Sequence, residues 1–222
     1  MHRDRRIIET VDQYKALDRN QIECLIFPVT PSNPITQGKR KSQEVMLRLF
    51  NNKKLNRCRV GESDYIYYLG DKPGMIKHLV DLNWIRMWLP FTLPSWEIMH
   101  SWSYEQDYKI LRGDGFAAIK NGMTGKFRFV FIEMDRGTNA FDKAAKYNKL
   151  NESSGYSRWW WVPLTERFPP ILVVTVSEAR KRLALAEIED HNSSGLEFEV
   201  KMLDEIREEV MKKCLVTRGR ID

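Results

Sequence analysis

The stretch from residue 105 to residue 147 constrains the fold of this 222-residue chain more than any other part. Glu105 stands first, in the run SYEQD, and a Gly-Asp-Gly corner at Asp114 opens the next apolar run. A second apolar run, Phe127 to Met134, carries Glu133 near its end, and Asp135 follows. Asn121-Gly122 and Thr124-Gly125 provide a hairpin turn between the two runs. The helical pattern NAFDKAAKYNKL then sets Lys143 and Tyr147 four residues apart, on one helix face. Two neighbouring strands that each carry a carboxylate, followed by a helix bearing a lysine, can form a site for a divalent metal and a phosphodiester. Carboxylate oxygens are the hard donors that Mg²⁺ and Mn²⁺ prefer, and an ammonium offsets phosphate charge. Nucleic acid is therefore the expected partner.

The remainder of residues 75–222 fits a domain built around that hairpin. A helix, His78 to Trp88, precedes a strand-like WEIMHSWSYE. After the lysine helix come a strand in PPILVVTVS, a helix in EARKRLALAEIE, a strand in GLEFEVKML and a last helix in DEIREEVMKKCL. FVFIEM and ILVVTV are continuous apolar runs, as in strands covered on both faces, and the helix between them makes them parallel neighbours. The expected class is α/β (α+β), a short mixed sheet sandwiched by helices.

Residues 1–74 read differently. Ile7, Ile8, Val11 and Tyr14 recur at helical spacing. Asp18 is placed to cap a second helix, RNQIECLIF, with Ile22, Leu25 and Ile26 inward. A polar loop, PVTPSNPITQGKRK, leads to a third helix at about Ser42 to Asn52, burying Val45, Met46, Leu49 and Phe50. NRCRV and DYIYYLG form a hairpin, the second strand half-buried. Three helices and a hairpin are the order of a winged helix-turn-helix, whose third helix enters the DNA major groove while the wing touches the backbone. Lys39, Arg40, Lys41, Gln43 and Arg48 on the third helix, and Lys53, Lys54, Arg57 and Arg59 at the wing, are placed for double-stranded DNA. The alternative is a solvated basic surface used for protein contacts. The segment Gly70 to Gly74 closes this head with no flexible linker after it.

Bulk properties agree with an anionic partner without requiring one. Thirty-six Lys and Arg against 30 Asp and Glu leave a net charge of +6. Cys24, Cys58 and Cys214 are scattered and odd in number, so neither a zinc site nor a disulfide framework is expected, and a reducing cytoplasm is favoured. The start, MHRDRRIIETVDQY, has no apolar segment of a secretory signal, and no run approaches the ~18 apolar residues of a membrane span.

The acid pattern resembles the PD-(D/E)XK nuclease superfamily, which is restriction-endonuclease-like in fold. There an acid follows a proline or glycine on one strand, and acid-x-lysine ends the next. Gly113-Asp114 takes the first place and Glu133-Met134-Asp135 the second, with Asp135 where the lysine usually stands. Glu105 corresponds to the upstream acid of many members, and Lys143 with Tyr147 to the helix that follows the second motif. Over Arg3 to about Leu203, with IEMDRGT and RFPPILVVT as its most specific parts, the chain looks like the replication-relaxation family of plasmids and integrative elements, similar to the MOBC-class relaxases. The resemblance implies nicking of one DNA strand at a transfer origin, with mobilisation proteins and a coupling protein as further partners. It implies Mg²⁺ or Mn²⁺ on Asp114, Glu133 and the Met134 carbonyl, charge stabilisation by Lys143, and Glu105 holding a second metal or a metal-bound water. Asp135 would be a ligand or would orient Arg136.

The same residues admit plainer readings. Asp114 can be a turn residue, and Lys146 and Lys149 compete with Lys143. Tyr147 fits a core position better than a catalytic one. Trp159, Trp160 and Trp161 fit a core strand edge better than a base-stacking platform. His2, His78, His100 and His191 have no ligand spacing. A DNA-binding plasmid replication or transcription regulator that kept the fold and lost the chemistry is the second functional reading.

Overall fold

The structure is a computed structural model describing residues 2–27, 35–138, 140–153 and 156–217, with the backbone alone at 2, 35–39 and 215–217. The architecture is mixed α+β, in two compact units: Met1–Met87 with Arg207–Asp222, and Trp88–Ile206.

The first unit begins with α1 (His2–Tyr14), β1 (Ala16–Asp18) and α2 (Arg19–Ile26). It continues with α3 (Ile35–Asn51), β2 (Asn56–Cys58), β3 (Ile66–Tyr68) and the start of α4 (Ile76–Thr92). Three short strands form an antiparallel sheet in the order β1-β3-β2. The apolar faces of α1, α2 and α3 meet over Ile7, Val11, Ile22, Met46 and Leu49, all buried. Asp18 caps α2 through a full capping box: its Oδ1 accepts the Gln21 N–H at 2.8 Å, and Gln21 Oε1 accepts the Asp18 N–H at 3.0 Å. The α3 C-terminus closes on the left-handed Lys53 (φ 54°). Lys54 N–H donates to the Leu49 carbonyl and Lys53 N–H to the Phe50 carbonyl, the two bonds of a Schellman motif.

Four features of this unit differ from the sequence expectation. β1 is an added strand, between the first helical pattern and the Asp18 cap, that no sequence pattern marks. β3 is buried on both sides, with Ile66, Tyr67 and Tyr68 at 1%, 3% and 9% exposure, because β1 flanks it and α4 lies over it. α3 starts at Ile35, inside the expected loop, the rest of which falls partly outside the described residues. The boundary lies near Met87 instead of at residue 74, and the chain from Arg207 returns to this unit. The cause is packing: Ile76 and Val80 join Ala16, Ile66 and Tyr68 in one apolar cluster. Asn83 Nδ2 donates to the Tyr14 and Ala16 carbonyls, and Asp81, 1% exposed, pairs with Lys77 and Arg207.

The second unit is a five-stranded sheet in the order β4-β5-β6-β7-β8: Glu97–Asp107, Arg112–Asn121, Phe127–Asp135, Ile171–Thr175 and Phe198–Met202. The first three strands are antiparallel; β6, β7 and β8 are parallel, joined by α5 (Lys143–Glu152) and α6 (Glu178–His191). α7 (Leu203–Thr217) follows β8. As the apolar runs require, β6 and β7 are central and covered: Phe131, Ile132, Val173 and Val174 are all fully buried. Asn121 Oδ1 accepts the N–H groups of Met123 and Thr124, and Gly125 takes φ 71°, fixing the β5–β6 turn. Phe116, Phe129, Phe131, Tyr147, Leu150 and Trp161 build the core on one face of the sheet. The tryptophan triplet sits in a turn that leads into a short 3-10 segment, Val162–Leu164, not at a strand edge: Trp161 is fully buried and Trp160 is 49% exposed.

Candidate active site and candidate nucleic-acid face

The Gly113-Asp114-Gly115 run is not a corner; it lies within β5. Gly115 is closely packed: a Cβ there would come within 3.1 Å of the Trp102 ring, which would have to shift to admit it. Tyr104 pairs with Gly115 and Gln106 with Gly113, so Glu105 stands opposite Asp114. Gly115 pairs with Ile132, and the next step along β6 brings Asp114 opposite Glu133. The three acids thus occupy one row across β4, β5 and β6.

Their side chains do not converge equally. Asp114 Oδ2 accepts the Met134 N–H at 2.8 Å. Glu133 is 1% exposed; its Oε1 accepts the Tyr147 hydroxyl at 2.7 Å, and its Oε2 lies 2.8 Å from Lys143 Nζ, outside hydrogen-bond geometry. Lys143 Nζ also donates to the Arg112 carbonyl at 3.0 Å. Glu105 departs from the expected site: its backbone is left-handed (φ 52°), and its half-exposed carboxylate pairs with Arg112. Asp135 is committed elsewhere, taking a two-pronged contact from Arg180 (2.7 and 2.8 Å) and the Gly137 N–H. Nothing in the sequence signals that partner, which arrives 45 residues later on α6. Tyr147 is both core and polar partner, the double role that the four-residue spacing from Lys143 makes possible.

Local structure explains how Lys143 reaches the strand. It opens α5, where Asp142 makes no side-chain cap bond. The Ala144 N–H is taken instead by Glu187 Oε2 of α6 at 3.4 Å. Lys146, the sequence competitor, faces Asp142 at 2.6 Å, largely exposed.

Burial sets the electrostatics. It pushes the Glu133 carboxyl up to about 8; Lys143 opposes the rise and the nearby Asp114 charge adds to it. Burial acts to lower Lys143, but Glu133 and then Asp114 outweigh it and the ammonium is held above its usual value. Tyr147 is raised well above the phenol range by burial and then by the Glu133 charge. Asp114, Glu133 and Lys143 therefore form one electrostatic unit. Among the described residues no three His, Cys, Asp or Glu side chains gather as a metal site. The donors that fit a hard cation are two carboxylates, Asp114 and Glu133, the latter with one buried oxygen that no hydrogen bond satisfies.

In the first unit, α3 exposes Arg40, Lys41, Gln43, Leu47 and Arg48, and the turn beyond it exposes Lys53 and Lys54. Arg40 is paired with Glu44 and Arg48 with Asp4, so these two carry acidic partners that the sequence reading left out. The Lys39 side chain lies outside the described residues. The Arg57 guanidinium packs against the Phe50 ring at 4.2 Å and the Tyr65 ring at 4.1 Å, and Arg59 packs against Tyr65 at 4.2 Å.

Comparison with protein-family models, curated proteins and solved structures yields no match. Cys24, Cys58 and Cys214 are free thiols, and no helix among the described residues is long and apolar enough to cross a membrane.

Proposed function

We propose that the chain is a metal-dependent DNA-nicking protein of the relaxase type. The first unit acts as a winged-helix DNA-binding domain and the second as a restriction-endonuclease-like PD-(D/E)XK domain. One observation carries the reading: Lys143 Nζ lies 2.8 Å from Glu133 although Asp135 occupies the usual lysine position. A cation supplied from the following helix restores the acid, acid and lysine set that the strand motif lacks.

The Asp114 and Glu133 carboxylates and the Met134 carbonyl would hold Mg²⁺ or Mn²⁺, which would supply Lewis acidity at the scissile phosphate. Lys143 donates to the phosphate oxygens as their charge grows during bond breaking. The Tyr147 hydroxyl fixes the orientation of Glu133, and Asp114 is held by the Met134 N–H. Asp135 ties the end of β6 to α6 through Arg180 and takes no direct part. Duplex DNA at a transfer origin is the substrate, with mobilisation and coupling proteins as the partners of such a reaction.

The regulator reading is favoured by a different observation: Glu105 pairs with Arg112, leaving two acids at the site. Supercoiled plasmid carrying the element's own origin separates the two. Incubation with the protein and Mn²⁺ should yield the open-circular form; duplex binding without any open circle supports the regulator.

A further inference from the structure

The cations beside the wing are ordered by aromatic rings. Phe50, at the end of α3, meets Arg57 of β2 at 4.2 Å; Arg57 meets Tyr65 at 4.1 Å; Tyr65 meets Arg59 at 4.2 Å. The sheet register explains the run. Arg57 pairs with Tyr67 and Cys58 with Ile66, so Arg59 stands opposite Tyr65. Asp64, next in sequence, is drawn away from the arginines by Arg19 and Asn20 at 3.2 Å. Glu62, in the β2–β3 turn, is exposed. On the α3 side the turn anchored on the Leu49 and Phe50 carbonyls presents Lys53, in the left-handed conformation, and Lys54.

A guanidinium stacked on a ring uses its face and leaves in-plane N–H groups for other acceptors; Arg57 gives one of them to the Tyr67 hydroxyl of the paired strand and keeps the rest. Those groups match two oxygens of one phosphate. Stacking also restricts a flexible side chain before any ligand arrives. We propose that Phe50, Arg57, Tyr65 and Arg59 form a preset clamp for a backbone phosphate of duplex DNA, in which uncharged Tyr65 is the positioning residue. The inference rests on the DNA-binding role of the first unit and adds which phosphate contacts are prearranged, and by what.

The test is full-length protein binding a labelled duplex across a salt series. The Arg57→Gln, Arg59→Gln double variant should flatten the slope of log K against log salt by roughly 0.9 per lost contact. Tyr65→Leu should weaken binding by about fivefold, the order expected when a cation–π contact is lost, with no change in charge; Tyr65→Phe should bind as wild type. The charge-preserving Arg57→Lys, Arg59→Lys variant should weaken binding as well, which secures the test if Tyr65→Leu fails to fold. Inorganic phosphate at millimolar concentration and constant ionic strength should not displace the duplex. Tyr65→Leu or the double lysine variant binding as wild type overturns the clamp while the DNA-binding role stands. Displacement by phosphate overturns it in favour of a free-anion pocket. Wild-type protein with no salt-dependent duplex binding removes the clamp and the DNA-binding role together.

Discussion

On the proposed reading, Glu133 is the residue on which the chemistry turns. A carboxylate inside a buried strand is expensive unless it is compensated, and here a hydroxyl and an ammonium compensate it. Its carboxyl is raised to about 8, so between the ordinary carboxylate range and that value the native chain binds more protons than the unfolded chain. The contribution of Glu133 to stability should therefore be fullest below the ordinary carboxylate range, fall as pH rises through this window and level off above about 8. Glu133→Gln should remove that slope, which urea unfolding at a series of pH values measures; a slope retained in the variant would assign it to another group. The sequence made Glu133 conspicuous because a charge interrupts an apolar run. It could not show that Asp135 is bound by Arg180, or that Glu105 adopts a left-handed backbone and pairs with Arg112, since both depend on contacts across strands and helices.

At the scale of elements, long periodic segments and the short β2–β3 hairpin were legible, while β1 and the first turns of α3 were not. All seven helices of the described residues and the five strands of the larger sheet coincide with patterned runs. β1 has three residues, too few for any periodicity, and exists because β3 pairs with it. The first residues of α3 contain Gly38 and a run of cations, with no apolar stripe to mark them. Local chemistry at element ends makes two predictions. Asp18→Ala removes a capping box and the bond from Trp84 Nε1, and should cost about 1–2 kcal/mol in denaturant unfolding. Lys53 occupies the left-handed position that glycine prefers. Lys53→Gly should stabilise the chain by about 0.5–1 kcal/mol while weakening duplex binding, because a residue that trades stability for a phosphate contact shows both effects. A gain in stability with unchanged DNA affinity would exclude Lys53 from the interface.

At the scale of the whole molecule, the order of a helical unit with a small sheet followed by a mixed α/β unit was legible, and its boundary was not. The break at Gly70–Gly74 is a real turn region, but α4 continues the apolar cluster of the small sheet, so its first residues belong to the first unit. On the proposed reading, affinity and cleavage reside in different units. Variants at Asp114, Glu133 and Lys143 should therefore bind origin duplex as wild type does. The central claim is that Lys143 supplies the cation missing from the strand motif. Its most direct test is single-turnover nicking of an origin plasmid by wild type, Lys143→Ala and Lys146→Ala, beside Mn²⁺ affinity of the same preparations. Lys143→Ala should retain Mn²⁺ and lose about 10²–10³-fold in rate, while Lys146→Ala, which loses only an exposed pair with Asp142, nicks normally. Nicking by Lys143→Ala at the wild-type rate would contradict the claim.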